Sequence, residues 1–129
     1  ALPAQTDEEA FDRILQELLT NAGKYSYPDT TIVLQVTHQV DLQLNQIVVR
    51  LTNTGAGISE EERKYIFEKF RRGQGVTQQA IQGTGLGLAL VKCLVQHLNG
   101  SIEVTSNPVD NSTAYETCFT VTLPQTFAR

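Results

Sequence analysis

The sequence has little cysteine: two residues in 129, Cys93 and Cys118. Two are too few for the disulfide framework of a small secreted domain, and neither sits in a CxxC or Cys/His spacing that would hold zinc. What remains is two partly buried thiols in a reducing compartment. Long apolar runs are missing as well. No stretch approaches the roughly 20 residues that a membrane-spanning helix needs. The start, Ala1-Leu2-Pro3-Ala4, has no basic region followed by an apolar one, so it carries no mark of a signal peptide. Positive charge is also scarce. Ten Lys and Arg against fourteen Asp and Glu leave a formal net charge of −4, which argues against general binding of nucleic acid or of an anionic membrane. There is no internal repeat, low-complexity tract or linker. The chain begins without Met, as a piece excised from a larger protein would.

The composition that is present, 40% apolar and 19% charged, is that of an ordinary globular protein. At roughly 100–150 residues per domain, this length makes one domain able to build its own core. Thr6-Asp7-Glu8-Glu9 fits a helix capping box. Phe11, Ile14, Leu15, Leu18, Leu19 and Ala22 then recur at helical spacing, which predicts an amphipathic helix ending near Gly23. Alternation around Ile32, Leu34 and Val36, and again over residues 47–51, predicts two strands joined as a hairpin. Ser59-Glu60-Glu61-Glu62 is a second capping box, predicted to open a short helix through Ile66, Phe67 and Phe70. Residues 73–85 have few large apolar side chains and read as a mobile loop. A longer helix follows, with Leu86, Leu90, Val91, Leu94, Val95 and Leu98 inward and Asn99-Gly100 as its stop. Ile102 and Val104 mark a third strand, and residues 118–123 a fourth. The expected fold is a two-layer α/β (α+β) sandwich, with three main helices packed on one face of a mixed, mostly antiparallel sheet.

Three features can carry chemistry. Glu17, Asn21 and Lys24 fall within about 60° of one another on the first helix, beside its apolar stripe. A carboxylate, an amide and an ammonium there suit a hydrated cation and a phosphate; they equally suit a solvated helix face. Glycines form the second feature. Gly55 and Gly57 follow a strand, and Gly83, Gly85 and Gly87 alternate before a helix. A glycine-rich segment opening a helix offers free N–H groups and a positive dipole end to an anion, or it is simply a flexible helix start. It is not the dinucleotide fingerprint, because Leu88 stands where the third glycine belongs, and it is not a P-loop, because no Gly-Lys-Ser/Thr follows. The third is the basic cluster Lys69, Arg71 and Arg72, which suits phosphate or merely a helix C-terminus.

In this order and spacing, the segments resemble the catalytic ATP-binding domain of sensor histidine kinases. That domain is one branch of an ATPase group shared with gyrase, mismatch-repair and heat-shock chaperone proteins. Leu18-Leu19-Thr20-Asn21-Ala22-Gly23-Lys24-Tyr25 resembles the family's asparagine box, and Asn53-Thr54-Gly55-Ala56-Gly57-Ile58 its first glycine box. Ile66-Phe67-Glu68-Lys69-Phe70-Arg71-Arg72 resembles the phenylalanine box, and Gly83-Thr84-Gly85-Leu86-Gly87-Leu88-Ala89-Leu90 the second glycine box. The resemblance runs from about residue 8 to 124.

The resemblance implies that ATP and Mg²⁺ are the cofactors, with Asn21 on the metal. It further implies Lys24 and Tyr25 on phosphate and ribose, Arg72 on phosphate, and residues 73–84 as a lid over the nucleotide. It places Asn53 at the adenine amino group, Gly55, Gly57 and Ile58 among the nucleotide-binding residues, and Thr84, Gly85, Leu86, Gly87 and Leu88 around the phosphates. Glu17 stands where many kinases of the family carry Asn and its hydrolytic members Glu, so it either joins the metal's water shell or assists a proton on the acceptor. Asn53 departs from the usual Asp, which weakens the acceptor offered to an adenine amino group. Asn still offers both an acceptor and a donor to the base edge. The turn at residues 110–115 departs from the family's usual Gly-x-Gly-Thr.

Neither His38 nor His97 lies in the His-Glu context of an acceptor helix, so the phosphoaccepting histidine is expected on an upstream helical dimerisation domain. The implied parent is a homodimeric, cytoplasmic or membrane-anchored kinase that passes the phosphoryl group to a response regulator. A degenerate binding module marked by Asn53, and a serine-directed kinase or ATPase of the same group, stand as the other readings.

Overall fold

The structure, a computed structural model, describes residues 5–68, 87–110 and 112–125. The predicted lid at 73–84, Phe70, the basic cluster Lys69, Arg71 and Arg72, and the glycine-box residues Thr84, Gly85 and Leu86 lie outside the described residues. Helix α1 (Gln5–Tyr25) starts one residue ahead of the predicted cap Thr6 and continues two residues past Gly23. Strands β1 (Val33–Val40) and β2 (Asn45–Gly55) form the expected hairpin. Then come helix α2 (Glu60–Arg63), helix α3 (Gly87–His97), and strands β3 (Ser101–Pro108) and β4 (Tyr115–Pro124). The sheet order is β1-β2-β4-β3, and every pairing among the described strands is antiparallel.

Spacing explains how the two layers meet. Ile14, Leu18 and Ala22 recur every fourth residue of α1, and Val91 and Val95 do so on α3. Each set therefore makes one stripe. Val49 and Leu51 on β2, and Phe119, Val121 and Leu123 on β4, alternate along their strands and present one face. Register stacks them across the sheet, with Val49 opposite Val121 and Leu51 opposite Phe119. All these side chains are at most 2% exposed, and together they form the core between α1, α3 and the middle of the sheet. Leu19, predicted on the inner stripe, is 41% exposed because it flanks that contact. Strand β1 is one edge of the sheet and β3 the other, and all eight residues of β1 are exposed. Leu34 and Val36 stand opposite core residues Leu51 and Val49, yet the helical layer does not bury them.

The helix ends follow local chemistry. At α2, the Ser59 hydroxyl accepts from Glu62 N–H at 3.0 Å, and the Glu62 carboxylate accepts from Ser59 N–H at 3.1 Å, completing the predicted capping box. The helix does not run on through Ile66 and Phe67 as its pattern predicts. After Arg63, Lys64 and Tyr65 N–H donate to carbonyls three residues back, and the chain tightens into turns. Tertiary packing decides this: Phe67 turns its ring edge-on to Phe119, 6.2 Å between centroids. At the other end of α3, Asn99 is left-handed (φ 64). Its N–H donates to Gln96 O and that of Gly100 to Val95 O, the expected glycine-type stop. No described helix is long and apolar enough to cross a membrane.

The last turn of α1 is joined to the end of β2. Ser26 forms an isolated antiparallel bridge with Gly55, and Tyr27 N–H donates to Thr54 O at 2.9 Å. The backbones approach so closely that a Cβ at Gly55 would stand 2.1 Å from the Tyr25 carbonyl oxygen. Gly23, one turn earlier, has nothing within 4 Å of such an atom. Gly55→Ala is therefore expected to lower unfolding stability by about 1–3 kcal/mol, since backbone cannot give way as a side chain does. Gly23→Ala is expected to raise it by roughly 0.5–1 kcal/mol through helix propensity. Denaturant midpoints at unchanged slope measure both.

Candidate functional site

The joint between α1 and β2 puts polar side chains of the helix at the same end of the sandwich as the polar end of the sheet. On α1 these are Glu17, Asn21 and Lys24, the row predicted from spacing. Asn21 is half-buried and Lys24 exposed; Tyr25 is half-buried beside Gly55. Glu17 carries the sharpest geometry. Its Oε2 accepts from Arg13 Nε at 2.8 Å, one helical turn back. Its Oε1 lies against the first residue of α3, 3.0 Å from where a Cβ of Gly87 would be. Glu17, the residue just before the predicted asparagine box, thereby meets Gly87 of the second glycine box. Its side chain is 22% exposed and that of Arg13 54%. A solvated pair of this kind contributes only about 0.3–0.5 kcal/mol to the helix.

The sheet side is built by register. Asn53 continues the inward row of Val49 and Leu51, and Thr117 stands opposite it on β4. Both are buried, at 6% and 4% exposure, the two buried polar side chains among the described residues. Thr117 Oγ1 is 2.9 Å from Ser106 Oγ on β3, its register partner. Ser106 Oγ also accepts from Ile58 N–H at 3.0 Å, and Ile58 O accepts from Arg63 Nη1 at 3.0 Å. The chain leaving β2 is thus tied to the sheet and to α2 at one residue. Gly57 has φ +84, a conformation glycine adopts without cost, and a Cβ there would stand 2.5 Å from the Tyr115 ring. A polar floor, Asn53-Thr117-Ser106, lies beneath a glycine turn held in one shape.

Of the residues singled out from sequence, the structure brings Tyr25 to Gly55 and Glu17 to Gly87, and sets Asn53 in the sheet two residues before Gly55. The side chains of Ile58 and Leu88 pack against the core, so what they present at the turn and at the start of α3 is backbone. Arg72, Thr84, Gly85 and Leu86 lie outside the described residues. Sequence reasoning missed Arg13, Ser106, Thr117 and Tyr115. Only Arg13 had a local signal, its i,i+4 spacing from Glu17; the others come from strand register. His38 is exposed and paired with Asn45 Oδ1 at 2.6 Å, and His97 ends α3 at the surface. Cys93 and Cys118 are free; Cys93 is exposed, more so than predicted, and Cys118 is half-buried.

The described residues thus give an antiparallel sheet with helices on one face, a glycine turn beside a buried amide, and an Asn-Lys row on the first helix. Comparison with known families gives the chain's membership. The family described as histidine kinase-, DNA gyrase B-, and HSP90-like ATPase matches residues 6–126, and the chain belongs to that family. Among curated proteins it is 37% identical over 120 residues to sensor histidine kinase YcbM of Bacillus subtilis, covering 93% of this chain and 36% of that one. It is 36% identical over 121 residues to the circadian input-output histidine kinase CikA of Synechococcus elongatus, covering 94% of this chain and 15% of that one. The chain thus spans about a third or less of these relatives. Among solved structures, the mycobacterial sensor histidine kinase MprB superposes with a TM-score of 0.73 at 29% identity, covering 90% of this chain and 70% of that one. These likenesses agree with the α+β sandwich and with an ATP-binding domain of histidine-kinase type.

Ser106→Ala is expected to leave Ile58 N–H without its acceptor and Thr117 without its partner. Stability should fall by about 1–3 kcal/mol, and the Ile58 amide should exchange with solvent markedly faster than in the parent chain. Unchanged exchange at Ile58 would show that Ser106 does not hold the turn.

Proposed function

We propose that the chain binds Mg-ATP and delivers its γ-phosphoryl group to a histidine on a separate dimerisation domain of the same two-component sensor kinase. The observation that carries this reading is the meeting of α1 and β2. It brings Tyr25 to Gly55, two residues from the buried Asn53 and from the Gly57 turn, and the same helix carries Glu17, Asn21 and Lys24 within about two turns of that joint. Phosphoryl transfer asks a protein chiefly for positioning and charge neutralisation. Ammonium, amide and backbone N–H groups supply both without a nucleophile on this domain.

In this reading the base lies over Asn53, Gly55, Gly57 and Ile58, with the Asn53 amide offering an acceptor to the adenine amino group and a donor to the ring. Tyr25 meets the ribose, and Lys24 and Arg72 meet phosphate. The segment around Thr84, Gly85, Leu86, Gly87 and Leu88 offers phosphates its amides, with residues 73–84 as the lid. The donor set fits Mg²⁺. A hard cation that keeps several waters takes one or two protein oxygens beside the phosphates. Asn21 Oδ1 and Glu17 Oε1 are such oxygens one helical turn apart, while Glu17 Oε2 is held by Arg13. The metal would supply neutralisation of phosphate charge. The acceptor histidine, a homodimeric parent and a response regulator are the implied partners, acting in the cytoplasm.

The buried, uncharged Asn53 favours a second reading, an interaction module whose nucleotide affinity is weak. Calorimetric titration with ATP, with and without Mg²⁺, separates the two. Weak, Mg²⁺-dependent binding is expected. Asn53→Asp should tighten it by about 1 kcal/mol, or roughly fivefold in Kd, by restoring a charged acceptor. No binding by either form would contradict the proposal. In the parent kinase, Glu17→Gln is expected to slow formation of acid-labile phosphohistidine far more than it weakens ATP affinity. An unchanged rate would remove Glu17 from the chemistry.

A further inference from the structure

We propose that Arg13 is a positioning residue for Glu17. The inference rests on the reading of Glu17 as a group acting where the phosphoryl group is transferred. A glutamate side chain has three free torsions and two equivalent oxygens, so on an open helix face its carboxylate sweeps a wide arc. Here it does not. Arg13 Nε donates to Oε2 at 2.8 Å, which leaves Oε1 to face the start of α3. Gly87 makes room for it: a Cβ there would stand 3.0 Å from Oε1, tighter than most such contacts in proteins.

The order along α1 gives the bond its direction. Arg13 lies one turn before Glu17 and Asn21 one turn after, so the guanidinium approaches from the side away from Asn21. It restrains the carboxylate without occupying the site. The solvent exposure of Arg13 argues against a packing role. An exposed i,i+4 pair adds little to fold stability, and with the arginine first it is in the less favourable order for a helix. What the bond changes is the set of directions open to Oε1.

Kinetics of phosphohistidine formation and crystal structures of the parent sensor kinase carrying this domain test the proposal. Arg13→Ala should lower kcat roughly twofold, the scale on which an exposed ion pair shifts the orientation of its carboxylate, with KM for ATP unchanged. Arg13→Lys, whose ammonium can reach the same oxygen, should recover most of the loss. In a Glu17→Gln background, Arg13→Ala should have no further effect. The Arg13→Ala structure should show Oε1 displaced from Gly87. An unchanged kcat, an equal loss in the Glu17→Gln background, or a carboxylate that stays at Gly87 would each overturn the proposal. If the wild-type kinase forms no phosphohistidine, the proposed function fails separately. The crystal structures then decide the positioning alone: a displaced carboxylate supports it and an unmoved one overturns it.

Discussion

The approach of the Tyr25 carbonyl to Gly55 is the contact on which the site depends. It leaves no room for a side chain on β2, and it anchors the last turn of α1 to the end of the sheet. Once that end is held, the rise of the helix sets the rest. Asn21 lies about 6 Å and Glu17 about 12 Å back along the axis from the final turn. Rotation about that axis is fixed by Ile14, Leu18 and Ala22, which are buried on one stripe. The same packing that excludes water from the core therefore sets the direction of the polar row beside it. Glu17 then reaches Gly87, which ties α3 into the same arrangement.

The sheet supplies the opposite wall, and its chemistry is more restrained. Asn53 and Thr117 are buried polar groups at the end of an otherwise apolar row. A neutral amide is cheaper to bury than a carboxylate. The exchange is a weaker acceptor for a base amino group. The hydroxyls of Thr117 and Ser106 share their hydrogen bond, and Ser106 carries it on to Ile58, so the glycine turn that leaves β2 is tied to both β3 and β4. Family membership and the likeness to sensor histidine kinases accord with an ATP-binding domain.

Much of this was legible in the sequence because it is written in short-range chemistry. The Ser59–Glu62 capping box, the Asn99-Gly100 helix stop, the Ile14-Leu18-Ala22 stripe and the β1–β2 hairpin each depend on residues a few positions apart. The four boxes are legible for the same reason, each being a short run of neighbouring residues. What was not legible depends on distant partners. Helix α2 stops at Arg63 because Phe67 is drawn to Phe119, fifty-two residues on. Strand β1 alternates like a half-buried strand but is exposed throughout, since no described helix covers its face, whereas β3, the other edge, is half-buried in alternation. Thr117 and Ser106 became part of the floor only through register. Arg13 could have been found from its spacing to Glu17, but that spacing alone does not distinguish a surface pair from one that points at another helix.

The most direct test is a map of amide chemical shifts during titration with ATP and Mg²⁺. If the nucleotide lies between the end of α1 and the glycine turn of β2, the largest changes should fall at Asn21, Tyr25, Asn53, Gly57, Ile58 and Gly87. The β1–β2 hairpin tip at residues 41–44 should stay still. Changes centred on that tip or on the exposed face of β1, with none at Asn53 and Gly57, would contradict it.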